Sequence, residues 1–154
     1  MLRRPRPLFR TLAFAEAVSW TLLLGGLVLR ATLGWDLAVT IGGAVHGFVF
    51  LSYGATVVLV MLNNRWRPGP SVAALAAAIV PYATIPVEMW VQRRGLLEGE
   101  WRIAPDPAAP DRRWYDRPLA WLLRRPWLLF GALAVALVAL YVVLLLVGPP
   151  GGRG

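Results

Sequence analysis

The chain has no cysteine, no lysine and a single histidine, His46. Without cysteine there are no disulfides, thiolate nucleophiles, Cys-based zinc sites, lipobox anchors or palmitoylation. One histidine excludes a His-rich metal site, and no metal or cofactor is expected. No G-x-S-x-G, P-loop or G-x-G-x-x-G motif occurs, so there is neither a nucleophile elbow nor a phosphate cradle. Without lysine, all sixteen cations are arginine; eight carboxylates leave a net charge of +8. Such a balance can signal nucleic acid. Here the arginines gather at the ends of apolar blocks, as in membrane proteins, so anionic lipid head groups are the expected partners and nucleic acid is not.

What the chain has in excess is apolar sequence: 58% of 154 residues, with a mean hydropathy of +0.58. Soluble domains run nearer about 45–50%. The excess falls in four blocks, Leu8 to Leu29, Leu37 to Leu62, Val72 to Val91 and Leu128 to Val147. At about 1.5 Å per residue each reaches or approaches the ~30 Å of a hydrocarbon core. The expected fold is all-α, a membrane bundle of four transmembrane helices. Pro81 and Pro86 predict a kink in the third. The first block is long, contains Glu16 and lacks a small-x-small cleavage site, so it reads as a retained span rather than a signal peptide. Seven of the eight Trp fall at a block end or in the connections between blocks, which supports the boundaries.

Three segments follow: a three-helix core over 1–94, a polar Pro- and Arg-rich connection over 95–126, and a fourth span with a flexible tail over 127–154. Leu119 to Leu123, with Trp114, Tyr115 and Trp121 nearby, suits a short interfacial helix. Asp106, Asp111 and Asp116 lack ligand spacing and read as solvated partners of arginines. Four arginines precede or open the first block and one, Arg30, lies in the first link, which favours a cytoplasmic N-terminus and, with four spans, a cytoplasmic C-terminus. The Gln92 to Pro126 connection opposes this with eight Arg; a re-entrant third block would return it to the cytoplasm.

Three ionisable groups fall inside blocks: Glu16, His46 and Glu88. A charge there costs about 2.5–3.5 kcal/mol on insertion scales. In antiparallel helices, Glu16 lies about 12 Å from one face and His46 about 15–18 Å from the same face. They meet if their faces align. Two readings stay open: a pair that shuttles a proton or holds a cation, and a structural hydrogen bond of about 1 kcal/mol joining two helices. Glu88 falls deeper or reaches the far interface near Arg93 and Arg94. Gly43, Gly47 and Gly54 share one face of the second helix and predict close packing. Thr84 is placed to satisfy a carbonyl freed by the prolines.

FRTLAFAEAVSW, with Phe9, Arg10, Glu16 and Ser19, resembles the start of the DUF3817 family of small bacterial membrane proteins. Gly43-Ala-Val-His46-Gly47-Phe-Val-Phe50 resembles its second helix. Trp66, then Val80-Pro81-Tyr82 with Thr84 and Glu88, resembles its third. The resemblance covers about 8–94; Ala17 stands where that family tends to have Gly. It implies a bacterial plasma-membrane location and no activity. With no nucleophile or metal set, the chain is not expected to be an enzyme. The expected role is a non-enzymatic membrane component or subunit that packs through glycine-rich helix faces, as a homo-oligomer or with another membrane protein. The alternative is a proton-linked small-molecule carrier or channel-like oligomer using Glu16 and His46.

Overall fold

The computed structural model describes residues 4–103 and 113–147. Asp106, Asp111 and the glycine-rich tail lie outside the described residues. Among the described residues all regular structure is helical: α1 (Pro5–Leu33), α2 (Asp36–Asn63), α3 (Pro68–Ala77), α4 (Thr84–Arg93), α5 (Asp116–Leu123) and α6 (Pro126–Val147).

α1 and α2 form an antiparallel hairpin. Both are long and apolar enough to cross a membrane, at about 43 and 42 Å. α1 begins on Pro5, where a helix has no internal acceptor for an N–H. It ends at Gly34, whose φ of 66° lets its N–H turn back to Arg30 O at 3.0 Å. Arg30 and Asp36 pair across the turn at 2.9 Å, both exposed. Val18, Leu22, Val28, Leu37, Ile41 and Phe48 are all exposed along this hairpin, the arrangement expected where lipid replaces water.

The closest approach of the two helices is made by Gly26 and Gly42. A Cβ at Gly42 would stand 2.7 Å from Leu22 O, and one at Gly26 would stand 2.7 Å from Ala38 O. The predicted packing face is therefore displaced by one residue. A Cβ at Gly43 meets only Leu23 Cδ1 at 3.9 Å, and at Gly47 and Gly54 it meets nothing within 4 Å. Within the chain those three are not the contact glycines.

The third apolar block is not one kinked helix. It is divided into α3 and α4, each of 10 residues and so about 15 Å long, half of what a span requires. Residues 78–83 between them form turns. Ala83 N–H reaches Val80 O at 3.1 Å with Pro81 and Tyr82 between, and Tyr82 has φ 65°. Proline second and a positive φ third is the type II turn pattern. Pro86 is the third residue of α4, in the first turn, where its missing N–H breaks nothing. The two prolines thus turn the chain and start a helix instead of bending one.

The path is a hairpin that enters and leaves at the same end of the molecule. α3 begins just beyond the end of α2, and Ala74 O accepts from Tyr53 Oη at 3.0 Å. At the top, Tyr82 Oη lies 3.2 Å from Thr21 Oγ1. α4 then descends along α1: Thr84 Oγ1 donates to Ala13 O at 2.9 Å, and Gln92 meets Arg6. Thr84 thus satisfies α1 rather than its own helix. The core sits at this lower end, where Phe9, Ala13, Tyr53, Val57, Val60, Ala74, Ala78, Val91 and Leu97 are buried together.

The strand of chain after α4 is sewn to the α2–α3 turn. Asn64 Nδ2 donates to Leu96 O (2.8 Å) and Glu98 O (3.0 Å), and Asn63 Oδ1 accepts from Arg102 N (2.8 Å). Trp66 Nε1 donates to Leu96 O at 2.8 Å. Arg65 and Asp116 pair at 3.0 Å, with side chains only 13% and 6% exposed. Asp116 is an arginine partner as expected, but a buried one. α5 appears where an interfacial helix is predicted, with Trp114 88% exposed and Trp121 52% exposed beside its basic residues. α6, 22 residues and about 33 Å long, leaves this end and packs on α2.

Candidate functional site: Glu16, Ser19 and His46

Halfway along α1, the packed lower half gives way to the bare α1–α2 hairpin. The polar cluster sits at that junction. Positions 16 and 19 are about one turn apart and share a helix face. On α1 that face also carries Phe9 and Ala13, and it looks at α2. On the antiparallel partner, His46 is one turn beyond Gly42, the residue at which the backbones nearly touch. The glycine contact brings α2 close enough for an imidazole to reach a serine.

Glu16 is fully buried and Ser19 is 1% exposed; the His46 side chain is 13% exposed. Ser19 Oγ lies 3.0 Å from His46 Nδ1, 3.3 Å from Glu16 Oε2 and 2.9 Å from Glu16 O. His46 Nδ1 and Glu16 Oε1 are 3.9 Å apart, beyond hydrogen-bond reach. The acid and the imidazole are therefore brought together through Ser19. Trp20 lies tilted against the imidazole with ring centroids 4.4 Å apart, and Phe50 follows at 6.1 Å. Glu16 Oε1 and Trp20 Nε1 are buried without a hydrogen-bond partner.

Glu88 does not join this site. It is buried lower down; with the Gln92 amide turned to suit both neighbours, its nitrogen donates to Glu88 Oε1 at 3.1 Å and its oxygen accepts from Arg6 Nη2 at 2.7 Å. Once the block folds back on itself, Glu88 lies toward the end where the block began rather than near the far interface. Arg93 and Arg94 lie at that same lower end. Ser19 and Trp20 join the predicted residues. Each left a signal: Ser19 lies three residues after an intramembrane acid, and Trp20 is the one Trp in the interior of a block. Among the described residues no group of three metal-ligating side chains occurs.

The arrangement differs from a hydrolytic triad in a decisive respect. There the serine and the acid use opposite nitrogens of the imidazole. Here Ser19 and Glu16 both approach Nδ1, so the imidazole cannot be oriented by the acid while activating the serine.

An all-helical fold with two apolar membrane-length helices and a polar cluster on their shared face defines a helical membrane protein. The chain belongs to DUF3817, a family described as a domain of unknown function, whose profile matches residues 7–93. It is 38% identical over 91 residues to a putative membrane protein of Streptomyces coelicolor, a match covering 58% of this chain and 11% of that relative. It is 36% identical over 83 residues to YdzA, an uncharacterized membrane protein of Bacillus subtilis, covering 53% of this chain and 86% of that relative. The matched region is thus about a tenth of the first relative's length and most of the second's. No solved structure matches the chain.

Proposed function

We propose that the chain is a non-enzymatic component of the bacterial plasma membrane that presents the α3–α4 tip to another membrane protein. In this reading α1, α2 and α6 cross the bilayer, and α3–α4 dips halfway in from the cytoplasmic side and returns. The observation that carries it is the exposure of the tip. Ile79, Val80 and Tyr82 are 69%, 55% and 45% exposed, at the level of residues 13–21 of α1. No described group accepts from the N–H of Val80 or Tyr82. Irregular backbone at membrane depth is tolerated only where protein or a water-filled cavity covers it, because each unpaired group costs several kcal/mol in hydrocarbon. The described residues supply no cover, and in this reading a partner supplies it.

The comparisons support a modular role. A segment of about this size makes up most of one relative and a small part of a much longer one. The base carries the cytoplasmic signature: every described arginine except Arg30 lies there, on α5 or on the flanking ends of helices. In this reading the N-terminus is inside and the end of α6 outside, opposite to the N-terminus. Anionic head groups are the expected contacts of Arg117, Arg124 and Arg125 beside the exposed Trp114 and Trp121.

A photoreactive residue at Ile79 or Val80, irradiated in native membranes, tests the reading. Protein adducts at the tip, with none from the same probe at exposed Val28, are expected. Lipid adducts alone at both positions reject it.

A further inference from the structure

We propose that Glu16, Ser19 and His46 form a proton-exchange site, in which one proton passes between carboxyl and imidazole across the Ser19 hydroxyl. The inference does not depend on a partner at the tip.

The geometry supplies a chain with two complete polarities. In one, Glu16 carries the proton and donates from Oε2 to Ser19 Oγ, while the serine O–H donates to an unprotonated Nδ1. In the other, protonated Nδ1 donates to Ser19 Oγ, and the serine O–H donates to the Glu16 carboxylate. The conversion breaks the Glu16 O–H and the old serine O–H and forms a new serine O–H and the Nδ1–H. The proton count and the net charge of the site are unchanged. Ser19 is the only one of the three within hydrogen-bond distance of both others, at 3.3 and 3.0 Å. A hydroxyl holds one proton and two lone pairs, which is what a two-way relay requires.

The surroundings suit both forms. A bare carboxylate or imidazolium in hydrocarbon is costly, whereas the neutral pair and the ion pair each keep the site uncharged overall. The Trp20 ring at 4.4 Å from the imidazole attracts the cationic form. Glu16 Oε1 has no partner and stands 3.9 Å from Nδ1, so the imidazole reaches the carboxyl only across Ser19. His46 is the partly exposed end and Glu16 the closed one, so protons enter and leave through the imidazole.

The polar groups that the rest of the molecule brings near are engaged. From α2, Tyr53 donates to Ala74 O. From α4, Thr84 donates to Ala13 O, and Glu88 is held by Gln92. From the base, Asp116 is held by Arg65. None of these is hydrogen-bonded to Glu16 or His46.

The test is a reciprocal titration of the full chain in lipid nanodiscs. The Glu16 carboxyl band is identified by infrared difference from Glu16→Gln and followed with pH in the wild type, in His46→Gln and in Ser19→Ala. The His46 imidazole is followed by nitrogen NMR in the wild type and in Glu16→Gln. Two sites that share a proton are coupled by about one pH unit or more. The Glu16 midpoint should therefore move by at least that in His46→Gln, and the His46 midpoint by the same amount in Glu16→Gln, because linkage is reciprocal. Ser19→Ala should reduce the coupling. Midpoints that stay in place in both partner variants, or shifts of unequal size, overturn the proposal. Should Ser19→Ala not fold, the other two variants decide the question.

Discussion

Gly42 separates packing from mere small size in α2, and it can be probed against Gly47 on the same helix. In Gly42→Ala the new Cβ would lie 2.7 Å from Leu22 O and 3.1 Å from Leu22 C. Carbon contacts settle at about 3.5–4.0 Å. Both obstacles are backbone and cannot rotate aside, so α1 and α2 must part locally by roughly 0.5–1 Å, a gap that forfeits a quarter to a half of each facing contact. Overpacking of this kind costs about 1–3 kcal/mol. Gly47→Ala meets nothing within 4 Å and carries only the helix-propensity gain of about 1 kcal/mol. That gain is common to both variants, so their difference isolates the steric term at about 1–3 kcal/mol. Reversible unfolding in mixed micelles, read as the midpoint of helix loss, measures it. Gly42→Ala should also lengthen the Ser19–His46 bond, one helical turn away. Equal stabilities for the two alanines would refute the assignment of Gly42 as the contact and restore Gly47 to that place.

Because the chain has no native cysteine, single cysteines report sidedness without background. In intact cells, an impermeant maleimide should label Trp35→Cys, whereas Arg67→Cys and Trp114→Cys should react only after lysis. Labelling of Trp114→Cys from outside would mean that α3–α4 crosses. Tyr53→Phe strips the donor from Ala74 O while keeping the ring against Phe9, at 5.7 Å between centroids in the native chain. A loss of about 1–3 kcal/mol is expected, the cost of an unpaired buried acceptor, and unchanged unfolding would show that the carbonyl finds another donor. Asp116→Ala removes the largely buried Arg65–Asp116 ion pair and the acceptor of the Arg113 N–H. It should destabilise by about 1.5–3 kcal/mol, the worth of hydrogen bonds to a charged group, and a loss below about 1 kcal/mol would class the pair as an exposed one.

Helices one and two were legible because lipid-facing helices are apolar on all sides, so hydropathy alone marks them. The meeting of Glu16 and His46 was legible because antiparallel helices fix depth by counting residues. The hairpin was not, because hydropathy is blind to direction: Val72 to Val91 is as apolar folded back as it is straight. What decides is Pro81 followed by Tyr82 in the left-handed region, a non-glycine conformation costing about 1–3 kcal/mol. Sequence does not announce that cost, and here the structure includes a Tyr82–Thr21 contact beside it. The contact glycines were missed for a related reason. G-x-x-x-G names a spacing, and Gly43 with Gly47 fits it; the facing helix selects Gly42, whose counterpart is Gly26 on the other chain segment. Ser19 was missed as a bridge because a serine in a helix is usually satisfied by its own backbone, as Ser19 also is through Glu16 O.

The hairpin also resolves the conflict in charge placement. A third span would export the arginines of the connection after α4 while retaining those of the α2–α3 turn, although Arg65 of that turn pairs with Asp116 beyond the connection. The proposed topology keeps both groups on one side of the membrane. With α3–α4 returning to its starting side, the remaining arginine at the far end among the described residues is Arg30, and Asp36 lies 2.9 Å from it. Positive charge is then retained where the positive-inside rule places it. The same geometry puts the unpaired tip of the hairpin beside α1 at the depth of the Glu16 cluster. A fold that buries an acid, a serine and an imidazole at mid-depth, and brings irregular backbone to the same level, concentrates its polar cost in one layer. The two features are separable by experiment, since a partner that covers the tip need not alter proton exchange at Ser19.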